Sequence, residues 1–342
     1  MKVLLGMSGG VDSAYAACEL ISRGYEVEGA VLVMHPYTEL DDARRAAREL
    51  RIPLHEIDCT EPFERIVKSY FVNEYLHART PNPCILCNEK VKLEYLWQFA
   101  RDNGFDRIAT GHYARVDRFT VDGEERFAIG QGRDAAKDQS YMLYRLPQYI
   151  LRDLLLPLDE LEKSDVRAAA RTAGITSSDK PDSQEICFLP DGNYAEYIES
   201  VAGKSPEGDF VSPDGRILGR HSGIIRYTVG QRKGLGIALG ERTYVTDIDP
   251  VTSAITLSPD YPGSDTVRIT DVVYSGISAP TTNVTLSAEV RLRHGMRPVL
   301  CEVDLLSDGS ATIRFDSPMR STPGQSAVVY SDGRVLLGGF IR

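Results

Sequence analysis

The chain carries two hydrophobic patterns in succession. Up to about residue 110, short apolar runs alternate with stretches whose apolar positions recur every three to four residues. Val3-Leu4-Leu5-Gly6 reads as a buried strand, and residues 14–21 read as an amphipathic helix closed by Gly24. Strands at 27–34, 54–58 and 107–110 follow, with helices at 41–50, 62–77 and 88–103. This alternation predicts an α/β fold with a parallel sheet wrapped by helices. Ligands in such folds bind beyond the carboxyl ends of the strands.

The pattern then changes. Residues 116–130 read as a hairpin turning at Asp122-Gly123, and 139–203 as helical segments broken at Pro147 and Pro157. Beyond Gly203 come short β runs punctuated by Ser212-Pro213-Asp214-Gly215, Asp249-Pro250 and Ser307-Asp308-Gly309, which suggest small β domains. Tyr261-Pro262-Gly263-Ser264 reads as a linker, so the expected domains are 1–203, 204–265 and 266–342. Two or three domains suit 342 residues. A balance of 42% hydrophobic and 26% charged residues allows a proper core. No apolar run approaches the roughly 20 residues of a membrane span and no signal peptide is evident, so a cytoplasmic location without a membrane partner is expected. The net charge of −10 weighs against a nucleic-acid partner. Basic residues do concentrate at 216–233 and 291–297, but charge alone makes these solvated faces.

Chemistry enters at Ser8-Gly9-Gly10-Val11-Asp12-Ser13, between the first strand and the first helix. A Gly/Ser loop opening a helix aims backbone N–H groups and a helix N-terminus at one point, a geometry that holds phosphate. A Walker loop would end in Gly-Lys-Ser/Thr, and no lysine follows here. A bare Gly-Gly would be only a turn; the full string resembles the PP-loop of enzymes that cleave ATP between the α and β phosphates.

Six cysteines in this length do not form a disulfide framework. Cys18, Cys59 and Cys301 lie in apolar runs and read as inert. Cys84 and Cys87 lie in Thr80-Pro81-Asn82-Pro83-Cys84-Ile85-Leu86-Cys87-Asn88. A helix beginning near Asn88 would put Cys87 at its N-terminus, where the dipole favours thiolate, with Lys90 and Lys92 nearby. Cys187 follows in Lys180-Pro181-Asp182-Ser183-Gln184-Glu185-Ile186-Cys187-Phe188. A structural zinc site would need further ligands, so sulfur chemistry suits Cys87 and Cys187 better.

Together with these strings, Ala109-Thr110-Gly111-His112-Tyr113-Ala114-Arg115, Lys137-Asp138-Gln139-Ser140-Tyr141, Tyr227-Thr228-Val229-Gly230-Gln231-Arg232-Lys233-Gly234-Leu235-Gly236 and Thr322-Pro323-Gly324-Gln325 occur in the order found in one family. Over nearly its whole length the chain resembles the bacterial tRNA-specific 2-thiouridylases. The resemblance implies a PP-loop catalytic domain with a helical tRNA-binding part, a central β domain and a C-terminal tRNA-binding β-barrel. It implies that ATP adenylates the 2-carbonyl of the wobble uridine in tRNAs for Glu, Gln and Lys, and that sulfur then displaces AMP. Gly6, Met7, Ser8, Gly9, Gly10, Val11, Asp12 and Ser13 would bind ATP phosphates, Asp12 helping to hold Mg²⁺, with Met34 and Gly111 at the adenosine. Cys87 matches the nucleophile and Cys187 the persulfide carrier. Asn82, Pro83 and Cys84 would face the target base, and His112, Lys137, Asp138, Gln139, Arg291, Leu292 and Gln325 would touch tRNA. Within such a barrel, phosphate contact by 291–297 becomes the better reading.

Two departures leave alternatives open. Many family members have Asp where Cys84 stands. Cys84, Cys87 and Cys187 could hold a four-iron, four-sulfur cluster that binds sulfide, or Cys84 could merely replace the Asp of an enzyme with a Cys87–Cys187 disulfide and persulfide route. The sulfur donor is then a persulfide carrier protein, a cysteine desulfurase or sulfide itself. After Met34, His35-Pro36-Tyr37-Thr38 replaces a longer family segment, which keeps a paralogue acting on another RNA or small molecule in view. A PP-loop ligase of small molecules leaves the β domains unexplained, and a non-catalytic RNA- or nucleotide-binding protein leaves Asp12, Cys87 and Cys187 unexplained.

Overall fold

The computed structural model describes residues 1–121, 123–176, 186–189 and 191–342. The expected turn residue Asp122 and the 180–185 part of the Cys187 string lie outside them. Strands β1 (Lys2–Gly6), β2 (Glu26–Val33), β3 (Leu54–Asp58), β4 (Arg107–Thr110) and the short β7 (Leu154–Leu155) form one parallel sheet in the order β3-β2-β1-β4-β7. Val3, Leu4 and Leu5 are wholly buried, as a run apolar on both faces of a covered sheet must be.

The helices largely follow the pattern, with one instructive difference. The helix expected from residue 88 begins at Pro83, so residues 83–102 are continuously helical: Pro83–Cys87, a π-helical turn at Asn88–Lys92, then Leu93–Asp102. Asn82 caps this helix by accepting the Cys84 N–H at 3.2 Å, and Pro83 occupies the first turn, where its missing N–H costs nothing. Cys87 therefore lies one turn inside a helix, not at its N-terminus.

Beyond residue 203, β8 (Gly208–Val211), β9 (Ile217–His221), β10 (Tyr244–Asp249) and β11 (Ala254–Ser258) make a four-stranded sheet in the order β10-β11-β8-β9. Then β12 (Ser264–Tyr274), β13 (Val284–Arg291), β14 (Val299–Leu305), β15 (Ala311–Met319), β16 (Ser326–Ser331) and β17 (Arg334–Ile341) follow. They run β12-β15-β14-β13-β16-β17, and β17 pairs back onto β12, closing a six-stranded barrel around Val290, Val303, Ile313 and Val329. The hairpin β5 (Ala114–Val121) and β6 (Glu124–Gln131) reaches across from the α/β unit to pair with β17, Gly130 opposite Arg334.

Residues 138–145 cement this joint. Asp138 is buried and accepts from Arg291 Nη1 at 2.6 Å and from the Gly132 N–H, the Ser140 N–H and the Ser140 hydroxyl. The Arg291 guanidinium also lies over the Tyr330 ring, 5.0 Å from its centroid. Tyr141 donates to the Ser326 carbonyl at 2.8 Å, and Arg145 ties Glu89 (2.5 Å) to Asp271 (3.0 Å). One apolar core runs unbroken from Leu4 of the sheet through Phe210 and Val245 to Val328 and Val335 of the barrel.

A buried pair broken on one side leaves an unpaired charge in low dielectric. Asp138→Asn is therefore expected to cost about 3 kcal/mol or more. Arg220→Ala, which removes an exposed cation facing Glu207 and Asp209, should cost under about 1 kcal/mol. Urea unfolding midpoints of the two variants check the contrast.

Candidate active site

The carboxyl ends of β1 to β4 gather the reactive groups at one sheet edge. The loop after β1 turns at Gly9, whose φ of +79° and whose place 2.5 Å (for a built Cβ) from Asp42 Cβ admit no side chain. Within the loop the Ser13 hydroxyl accepts from the Ser8 N–H at 3.2 Å and donates to the Gly10 carbonyl at 3.0 Å. The helix it opens, Val11–Ser22, has no side-chain cap, so its first-turn N–H groups face the loop's concavity without one. A side chain at Gly111, just after β4, would strike the Asp12 carbonyl group at 2.8–2.9 Å, and this close approach locks the two strand ends together.

Asp12 is held. Lys163 Nζ lies 2.6 Å from both its carboxylate oxygens, and the Tyr113 hydroxyl donates to one of them at 2.7 Å. Lys163 opens the helix Lys163–Thr172, a position where the dipole disfavours a cation. The loop that lacks a lysine of its own thus receives one from 151 residues downstream. Sequence reading missed it; its one local signal was a lysine set against the helix dipole.

Met34 follows β2, and the shortened segment after it closes as a tight turn in which Thr38 Oγ1 accepts the N–H groups of Met34 (3.2 Å) and His35 (3.3 Å). Met34 Sδ lies 3.9 Å from Cys87 Sγ, which places Cys87 at the carboxyl end of β2, the strand next to β1. His35 is buried against Phe63, and among the described residues its Nδ1 has no hydrogen-bond partner.

Cys87 is 3% exposed, and burial pushes its thiol up to about 12, with Lys92 opposing. The thiolate expected from a helix N-terminus is thus not the resting state; the dipole is absent and desolvation wins. Burial pulls the Lys92 ammonium down, but the sulfurs of Cys87, Cys84 and Cys187 favour its charge and carry it above the ordinary lysine value. Lys90, by contrast, is exposed and pairs with Glu89 at 2.9 Å. The π-turn sets Lys92 five residues after Cys87, on the same face of the helix. Cys187 is exposed as a residue, yet its sulfur is enclosed enough for burial to raise its thiol, against the pull of Lys92. All six cysteines are free. Among the described residues no three His, Cys, Asp or Glu side chains converge on the position of a single metal ion.

The residues expected to touch RNA divide into two groups. Asn82, Pro83 and Cys84 form the first turn beside Cys87. His112 accompanies them, its ring bonded to Thr110 Oγ1 at 2.8 Å and held neutral by burial, which with Lys92 pulls it down to about 3. Gln139 accepts the Tyr113 N–H at 2.9 Å, and Lys137 is exposed. Asp138, Arg291 and Leu292 lie elsewhere: the first two are spent on each other, and Leu292 is buried in the barrel core. Gln325 donates from Nε2 to the Thr80 carbonyl at 2.7 Å, at the base of the cysteine-bearing turn.

Comparisons with known proteins agree over the chain's length. Residues 1–191 match the model of a tRNA methyl transferase HUP domain, 195–259 that of a tRNA methyl transferase PRC-barrel domain, and 264–341 that of an aminomethyltransferase beta-barrel domain. A tRNA-specific 2-thiouridylase of Clostridium perfringens is 40% identical, over 99% of this chain and 98% of that one. That of Geotalea uraniireducens is 41% identical over 99% and 94%, and that of Lachnoclostridium phytofermentans 42% over 99% and 98%.

A thiol raised from 9 to about 12 in the fold binds its proton more tightly than in the unfolded chain. The stability this contributes is fully present below about pH 9 and is lost as pH rises towards 12. Cys87 should accordingly resist iodoacetamide in the native protein at pH 8 and label readily in urea, with peptide mass spectrometry as the readout.

Proposed function

The chain belongs to the tRNA-specific 2-thiouridylase family and is a tRNA sulfurtransferase, and we propose the following route from its geometry. The single observation that carries the route is the Cys87 thiol lying against Met34, one strand from the phosphate loop. ATP phosphates lie on the N–H groups of residues 8–13, and the uracil 2-oxygen attacks the α-phosphorus, releasing pyrophosphate. The charge leaving with pyrophosphate is met by Lys163, which serves the loop in place of a Walker lysine. The oxygen donors Asp12, Ser8 and Ser13 suit Mg²⁺, which when bound neutralises phosphate charge; Asp12 would hold it in exchange for its contact with Lys163.

The terminal sulfur of a Cys187 persulfide then attacks C2 and AMP leaves. The Cys87 thiolate attacks Cys187 Sγ, forming a Cys87–Cys187 disulfide and releasing the C2 thiocarbonyl; an external dithiol restores both thiols. Lys92, beside all three sulfurs, favours the anionic form each step needs. Such a base must be splayed from its stack to enter, and Asn82, Pro83 and Cys84 line the approach. The wobble uridine of tRNAs for Glu, Gln and Lys is the substrate we assign. In the cytoplasm, where tRNA is found, a persulfide carrier protein or a cysteine desulfurase transfers its outer sulfur to the Cys187 thiol, or free sulfide attacks Cys187 Sγ of the Cys87–Cys187 disulfide, giving the Cys187 persulfide and the Cys87 thiol directly. Among the described residues no helix is long and apolar enough to cross a membrane.

Incubation with tRNA, ATP, Mg²⁺ and a sulfur source should yield 2-thiouridine on nucleoside analysis. Cys87→Ser should yield none while still releasing pyrophosphate. Lys163→Met should slow pyrophosphate release by roughly 10²-fold or more, the scale of removing one electrostatic partner from a developing charge. Full thiolation by Cys87→Ser would refute the nucleophile assigned.

A further inference from the structure

Thr80, the residue that opens the cysteine-bearing string, joins three parts of the fold. Its N–H donates to the Pro323 carbonyl at 2.8 Å and its carbonyl accepts from Gln325 Nε2 at 2.7 Å, both on the barrel. Its hydroxyl meets Thr228 Oγ1 of the central β domain at 3.2 Å. Thr322 Oγ1 completes the knot on the Val229 carbonyl at 3.5 Å.

Thr228 begins a loop that runs to β10 without helix or strand and is nonetheless firmly anchored. Gln231 Oε1 accepts the Thr228 N–H at 3.0 Å, Gln231 Nε2 donates to the Lys233 carbonyl at 3.0 Å, and Gly230 and Gln231 pair with Val245 at 2.7 and 2.9 Å. Leu235 is buried at 7% exposure and pins the far side. Between these anchors, Arg232 and Lys233 are exposed. Arg232 borders a cavity of about 410 Å³ that extends along residues 234–239 to Thr243.

These two cations differ from most others on the surface. Arg44, Arg65, Lys68 and Arg314 each pair with a glutamate within 2.9 Å. Neither Arg232 nor Lys233 makes a side-chain hydrogen bond or ion pair with any described residue. Two adjacent like charges on a rigid loop repel each other, and a chain with ten surplus negative charges could readily have paired them. They stand on the loop hydrogen-bonded to Thr80, four residues before Cys84. A polyanion is the ligand that such a pair suits.

We infer that the loop from Thr228 to Thr243 is a backbone contact for the tRNA, with Arg232 and Lys233 gripping phosphates of the strand whose base enters beside Cys87. The inference rests on the tRNA reading above and adds a site in the central β domain. Phosphate contacts position the RNA without reading its sequence, so the grip acts on all substrate tRNAs alike.

The test compares the parent protein, Arg232→Ala/Lys233→Ala and the charge-keeping Arg232→Lys/Lys233→Arg. In filter binding with substrate tRNA over a range of salt, the alanine pair should weaken binding by about tenfold. It should also lower the slope of log K against log salt by about 2, near 0.9 for each phosphate no longer neutralised. The charge-keeping pair should retain the parental slope. The KM for tRNA should rise with the alanine pair, while kcat at saturating tRNA and the KM for ATP stay unchanged. Parental slope and affinity in the alanine pair would overturn the inference while leaving the sulfurtransferase reading intact. A parent that neither binds nor thiolates tRNA would overturn both.

Discussion

The buried contact between Asp138 and Arg291 is the constraint on which the architecture rests. An ion pair withdrawn from water is tolerated only when its geometry is good and its remaining hydrogen-bonding capacity is met. Here three further donors satisfy the Asp138 carboxylate and the Tyr330 ring lies against the guanidinium, although Arg291 Nε is buried with no hydrogen-bond partner among the described residues. The pair links Asp138 of the α/β unit to Arg291 of the barrel across 153 residues of sequence. The Glu89–Arg145–Asp271 chain does the same from the side of the helix that carries the cysteines. One of the two contacts that join the bodies thus starts on the helix that carries Cys87.

A second theme is that the reactive groups are neutralised at rest. Asp12 is matched by Lys163, Cys87 keeps its proton, and the His112 ring is uncharged. In the route proposed above each is drawn on when a neighbour changes: phosphate draws on Lys163, and an activated base or persulfide places charge near Lys92. Low dielectric around these groups makes the response large, because charge is poorly screened there.

Much of this was legible in the chain. The parallel sheet followed from local periodicity and the Gly/Ser loop between β1 and the first helix from a few consecutive residues, whereas the roles expected of that loop and of the cysteine strings came from the family resemblance. The helix start at Pro83 was written in Asn82-Pro83, a capping residue followed by the residue best tolerated in a first turn. Placing the start at Asn88 gave Cys87 a dipole it does not have. The partnerships of Lys163 with Asp12 and Arg291 with Asp138 span 151 and 153 residues, and no local pattern carries them. Asp138 and Arg291 are expected to touch RNA because they match positions that do so in the family, an expectation carried by resemblance and not by their charges. Burial, which only the packed structure reveals, shows where those charges are spent.

Cys87 and Cys187 differ in one further respect: the first is sealed in the core and the second is exposed. If Cys187 carries sulfur as proposed, a donor need touch only the outer residue, and the chamber where the uracil is activated need not admit it. The two cysteines then work as an airlock, loaded from outside and discharged inside. An adenylated base left facing open water would hydrolyse and waste its ATP. Keeping the inner door shut while the outer one is served prevents that loss.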